Sequence, residues 1–120
     1  MPYRRKGAPI EEIDTSSPEM LSFGLIAMAG DARSKAYEAL GAAKEGDFDR
    51  ADRLLKEADE ASIQAHNVQT QLLAKEAGGE HTEVDVMLVH AQDHLMTSIL
   101  AKELISEMIE LYRVIDNDKK

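Results

Sequence analysis

The chain has no cysteine among its 120 residues, so it carries no disulfide framework, no thiolate zinc site and no cysteine nucleophile. That absence fits a reducing compartment. Aromatic residues make up only 4 % of the chain, and glycine and proline are few beside abundant Ala, Leu, Glu and Lys, a balance that favours helix. Basic charge is also short: 14 Lys and Arg face 23 Asp and Glu, for a formal net charge of −9. Duplex nucleic acid is recognised largely by neutralising phosphates, so this deficit argues against nucleic acid as the main partner. The one basic run, Tyr3-Arg4-Arg5-Lys6, is too short for such a footprint, and no apolar stretch follows it as a signal peptide requires. No segment approaches the roughly 20 apolar residues of a membrane span. A soluble cytoplasmic protein of one domain, with no direct membrane insertion, is the expectation.

What is present is helical periodicity. Residues 1–16 show none and are expected to be a mobile tail. Ser17-Pro18-Glu19 then has the signature of a helix start: a hydroxyl cap, proline at the first helical position, and an acid near the positive end of the dipole. Leu21, Leu25, Met28, Ala32, Ala39 and Ala43 follow at steps of three and four, until Gly46-Asp47 closes one helix and caps the next. Gly24 and Gly30 inside this helix each cost about 1 kcal/mol against alanine, and close approach of a neighbouring helix is the expected compensation. A second helix is expected from about Phe48 to Lys75 on the stripe Ala51, Leu54, Leu55, Ala58, Ala61, Ala65, Val68 and Leu72. Gly78-Gly79 breaks it, and His81 in that break is expected to be a surface residue.

The third helix is expected from Thr82 or Glu83 to Ile115, followed by a polar tail over residues 116–120. It carries two apolar stripes. One holds Val86, Leu100, Leu104, Met108 and Leu111, with His90, Asp93, His94 and Thr97 embedded in it. The other holds Leu88, Leu95, Ile99, Ile105 and Ile109. Only the strip through Lys102, Glu103, Ser106, Glu107, Glu110 and Arg113 looks wet. A helix of a lone bundle needs one broad apolar face, so the surplus predicts oligomerisation. Short connections predict an all-α, antiparallel up-down-up bundle of three helices spanning residues 17–115. In that arrangement His90 is level with His66, Asn67, Gln69 and Thr70 of the second helix and with residues 24–28 of the first.

The polar cluster is expected on the buried side, where unpaired polar groups are costly; it is therefore the candidate site. Three chemistries fit its residue types. His90 and His94, at a spacing of four, could ligate zinc for a metal-dependent hydrolase, although Ala91 stands where the glutamate of H-E-x-x-H belongs. Alternatively, the cluster is a set of hydrogen-bonded core residues with no chemistry. The third possibility is a histidine nucleophile: a neutral imidazole accepts a phosphoryl group when donors such as His94, Gln92 or Thr97 meet the charge. Spacing alone leaves all three open.

The string Val89-His90-Ala91-Gln92-Asp93-His94-Leu95-Met96-Thr97 resembles the signature of the enzyme IIA components of the lactose/cellobiose (chitobiose) class of the bacterial phosphotransferase sugar-uptake system. Ala29-Gly30-Asp31-Ala32-Arg33-Ser34, Gly46-Asp47-Phe48, Ala65-His66 and Gln69-Thr70 resemble the same family in order, so the likeness covers roughly residues 18–115. The resemblance implies a homotrimer of three-helix subunits and a phosphotransferase activity. His90 would accept a phosphoryl group from the phosphocarrier HPr and pass it to a cysteine of the cognate IIB component during uptake of a β-linked disaccharide. It also implies that Asp93 and its two symmetry mates share one Mg2+ at the three-fold axis. Supporting roles at the phosphoryl site fall to His94, Gln92 and His66.

Overall fold

The structure, a computed structural model, describes residues 13–119. Three helices account for nearly all of them: α1 (Pro18–Lys44), α2 (Phe48–Ala77) and α3 (Val86–Asp118), with no strand among the described residues. The molecule measures 58 × 31 × 22 Å. At about 1.5 Å per residue the longest helix spans about 50 Å, so the helices lie along the long axis.

Each helix begins on a side-chain cap. The Ser17 hydroxyl accepts from the Met20 amide at 3.1 Å, the Asp47 carboxylate from Arg50 at 3.1 Å, and Asp85 from Leu88 at 2.8 Å. Asp85 moves the start of α3 later than Thr82 or Glu83: its extended backbone and its carboxylate, which reaches the amide three residues on, mark the cap, while residues 81–85 stay outside the helix. Gly46 (φ 82°) and Gly79 (φ 94°) turn the chain after α1 and α2. α2 runs two residues past the expected Lys75, to the glycine that caps it. α3 likewise runs through Asp118 rather than ending at Ile115, because Asp116-Asn117-Asp118 are polar but contain no proline or glycine to stop it. Of the expected tail, residues 1–12 lie outside the described residues. Ile13 packs against the core at Gly24.

Two apolar clusters hold the helices together. The first joins Leu25 and Ala29 of α1 to Ala65 of α2 and to Ala91 and Leu95 of α3. The second joins Ala36, Ala39, Ala42 and Ala43 to Ala51 and Ala58 and to Ile105 and Ile109. Alanine dominates both, which lets α1 sit close against its neighbours while few large side chains fill the gaps. Gly24 departs from the expectation: a Cβ there would collide with Ile13 of the segment before α1, not with another helix.

The two stripes of α3 part ways here. Leu95, Ile105 and Ile109 are buried, whereas Val86, Leu100, Leu104 and Leu111 are 84, 55, 51 and 59 % exposed. The stripe that carries the polar cluster is therefore the outer face of the subunit, and the expectation that the cluster lies in the core of one chain is corrected. Ala91, Leu95, Ile105 and Ile109 pack with α1 and α2 instead, their side chains filling the space left by the alanine surface of α1. The strip expected to be wet is partly engaged. Lys102 reaches Asp59 of α2 at 2.6 Å, and Arg113 pairs with Asp52 and lies over the Phe48 ring at 4.9 Å. Such rim pairs contribute about 0–1 kcal/mol each, so they tune the packing of α2 on α3 rather than create it.

Candidate functional site

Because Asp85 starts α3, His90 falls in its second turn and His94 one turn further. Their rings stack face to face, centroids 6.0 Å apart and planes within 7° of parallel. Buried Ala91 and Leu95 on the adjoining face anchor this stretch to the core, so the pair stands on a rigid backbone. His90 is exposed and His94 half-buried. Facing His94 is Gly30 of α1, where an added Cβ would lie 3.4 Å from the imidazole Nε2. His94 therefore packs against α1 at Gly30, where an added Cβ would make about an ordinary contact.

His94 is held below the ordinary imidazole range. Desolvation by the α1 surface is the largest cause, the positive charge of Arg33 the next and His90 the third, with Asp93 acting in the opposite sense. At neutral pH the ring therefore keeps one N–H donor and one acceptor nitrogen. The unfolded chain binds the proton more readily than the folded one, so this contribution to stability is complete above about pH 6.5 and is lost as pH falls through the lowered folded value. An NMR titration is expected to place the His94 midpoint below about 6.5; a midpoint above it would contradict this electrostatic picture.

The other candidates lie elsewhere on the helix. Asp93 points outward and is exposed. Thr97, considered as a hydrogen-bond donor to the phosphoryl group, instead gives its hydroxyl proton to the Asp93 carbonyl at 2.9 Å. Gln92, two residues from His90, points to the opposite side of α3, where its Oε1 accepts from Gln69 Nε2 of α2. The same Gln69 nitrogen lies 3.6 Å from Met96 Sδ. A thioether only accepts, which fixes the amide end that Gln69 presents and leaves the Nε2 of Gln92 as a spare donor. Within one chain Gln92 and His90 are not brought together. His66 is exposed, with Thr70 Oγ1 donating to its carbonyl at 3.0 Å, and Gln69 is the α2 residue tied to the α3 cluster. Gln69 was findable in sequence: it falls four residues after Ala65 on the buried stripe, where a polar side chain needs a partner.

A hydrolytic zinc site fits poorly. A metal bound by imidazole nitrogens lies in the plane of each ring, and two stacked, nearly parallel planes share no such point. No group of three or more His or acidic side chains among the described residues converges on one position. A single outward Asp93 per chain suits a hard, oxygen-preferring cation only when copies of it are brought together.

The family profile described as "PTS system, Lactose/Cellobiose specific IIA subunit" matches residues 20–113, and the chain belongs to that family. It is a component of a sugar phosphotransferase system. A lactose-specific EIIA component of Streptococcus mutans is 54 % identical over 94 residues, 78 % of this chain and 90 % of that protein. The crystal structure of a cellobiose-specific enzyme IIA from Bacillus anthracis superposes with a TM-score of 0.80 at 46 % identity, covering 84 % of this chain and 94 % of that one. The IIA(chitobiose) protein of Escherichia coli, solved in solution in complex with HPr, superposes with a TM-score of 0.72 at 46 % identity, covering 89 % and 99 %. Among the described residues no helix is long and apolar enough to cross a membrane.

Proposed function

We propose that His90 is the phosphoryl acceptor of a cytoplasmic phosphocarrier, charged by an HPr-type phosphohistidine and discharged to a IIB component during uptake of a β-linked disaccharide. The observation that carries this reading is the stacked pair on the outer face of α3: an accessible His90 backed by a neutral, half-buried His94. An exposed imidazole can reach both a donor and an acceptor protein, and a neutral neighbour adds no proton competition for the lone pair. The lone pair of a His90 ring nitrogen forms the new P–N bond as the donor's P–N bond breaks, its electron pair returning to the donor ring. The proton shed by the other His90 nitrogen balances the one the donor ring takes up. The HPr complex of the chitobiose relative supports the donor.

The same reading includes an up-down-up bundle assembled as a homotrimer. Its support is the pairing of early α1 with late α2 and early α3 in one cluster and the reverse in the other, together with the exposed stripe of α3. In a cyclic trimer the His90 side of one α3 faces the Gln92 side of the next. The spare Gln92 donor, with His66 at the rim, then serves a neighbour's His90. Asp93 lies at the centre of the exposed stripe, between Val89, Leu100 and Val86. Three copies on the axis would repel unless neutralised, which suits one shared Mg2+. That ion would supply charge neutralisation to the assembly.

Incubation with phosphoenolpyruvate, enzyme I and HPr is expected to add one acid-labile phosphoryl group per subunit, seen by intact mass and absent in His90→Ala. No mass change in the folded protein would sink the reading.

A further inference from the structure

An acidic chain is a poor place to put a dianion. With a formal net charge of −9, its own field opposes both the approach of a phosphorylated donor and the stability of the product. A local cation must offset it, and three cations of the fold are committed elsewhere. Lys35 pairs with Asp31 at 3.2 Å, Lys102 with Asp59 at 2.6 Å, and Arg113 with Asp52 and Glu110. Arg33 is not among these ion pairs of the described residues, and it is exposed. Its place follows from helix register. Gly30 is the point at which α1 touches His94, and Arg33 lies one turn further along the same side of α1. Side chains on a helix lean back toward its N-terminus, so the long Arg33 chain extends toward the level of Gly30 and His94. There the His90 ring stacks with that of His94 from one turn earlier on α3, its centroid 6.0 Å away.

We propose that Arg33 is the cation that meets the phosphoryl group carried by His90, drawing the phosphorylated donor to the site and holding the oxygens as the group transfers. This rests on the phosphocarrier reading and adds the residue that makes it workable on an acidic chain. A planar guanidinium suits the task because its fork of N–H donors matches two phosphoryl oxygens at once. The field of Arg33 is already felt at His94. As the arginine is exposed, its effect should be screened by salt.

The test uses the full chain and measures the initial rate of phosphorylation by phospho-HPr across a range of NaCl concentrations. Wild type is compared with Arg33→Lys, Arg33→Gln, Arg33→Glu and, as a remote control on α2, Arg53→Gln. The expected order of rate is wild type, Lys, Gln, Glu, with Arg33→Gln slower by about tenfold at low salt and its salt dependence flatter. Arg53→Gln should match wild type. The graded charge series separates an electrostatic role from a structural one, because loss of packing would not be restored by lysine or worsened stepwise by charge. An Arg33→Gln protein with wild-type rate and salt dependence would overturn the role of Arg33 while leaving His90 in place. A wild-type chain that takes up no phosphoryl group would overturn the carrier reading and this proposal together.

Discussion

Leu104→Glu is expected to convert the proposed trimer into 13.3 kDa monomers that keep their helical content. Leu104 lies on the outer stripe of α3, 51 % exposed in the single chain, in line with Val86, Leu100 and Leu111. Among the described residues no neighbour covers this stripe, and a contiguous apolar face of that length is a liability on a monomer. Burying a leucine side chain is worth about 1.5–3 kcal/mol, and a three-fold interface gains it three times. The substitution removes that gain and sets three carboxylates where water has been excluded, a cost of several kcal/mol more unless they protonate. Since Leu104 is not part of the intrachain core, the subunit itself should stay folded. Sedimentation equilibrium and circular dichroism read the two effects separately. A variant that remains trimeric would mean that the stripe faces solvent or another partner, and a variant that unfolds would mean that Leu104 belongs to the core of the subunit.

The helices were legible because their ends are chemical. Ser17, Pro18, Asp47 and the glycines after α1 and α2 announce their roles in sequence, and each does in space what its side chain or backbone allows. The start of α3 was harder, since Thr82, Glu83 and Asp85 are all plausible near a helix N-terminus, and only geometry shows that the Asp85 carboxylate reaches the Leu88 amide. The ranking of the two α3 stripes was not legible at all. Both are apolar at helical spacing, and periodicity says that a face is apolar without saying which surface covers it. The one on the alanine face of α1 became the core, and the other, with His90 and Asp93, faces outward. The candidate cluster was therefore picked out by residue type but expected on the buried side of α3, whereas in the single chain it faces outward. Gln69 was level with the cluster by helix register, but Gly30 and Arg33 gained their relation to His94 only through packing, since α1 lies far from it in sequence.

Asp93→Leu is expected to raise the thermal stability of the assembly and to make it indifferent to chelators, while leaving His90 able to accept a phosphoryl group. Asp93 stands on the outer stripe between Val89 and Leu100, so the proposed trimer, with its axis along this stripe, would bring three copies of one carboxylate together in an apolar setting. Two unit charges about 4 Å apart interact by about 4 kcal/mol at an effective dielectric constant of 20, and a trimer contains three such pairs. A divalent cation or retained protons must offset that repulsion, so the wild-type trimer should lose stability when Mg2+ is removed with EDTA and regain it when Mg2+ is restored. Leucine replaces the repulsion with three buried side chains, each contributing about 1.5–3 kcal/mol. Melting curves with EDTA and with Mg2+, recorded for both proteins, give four values. The expectation is a gap between the two conditions for wild type and none for Asp93→Leu. His90 lies roughly 60° around the helix from Asp93, and its ring packs on His94 rather than on the carboxylate. Phosphorylation of the variant should therefore remain within severalfold of wild type. Loss of phosphorylation in a protein that is still trimeric would move Asp93 from the assembly into the chemistry of the site.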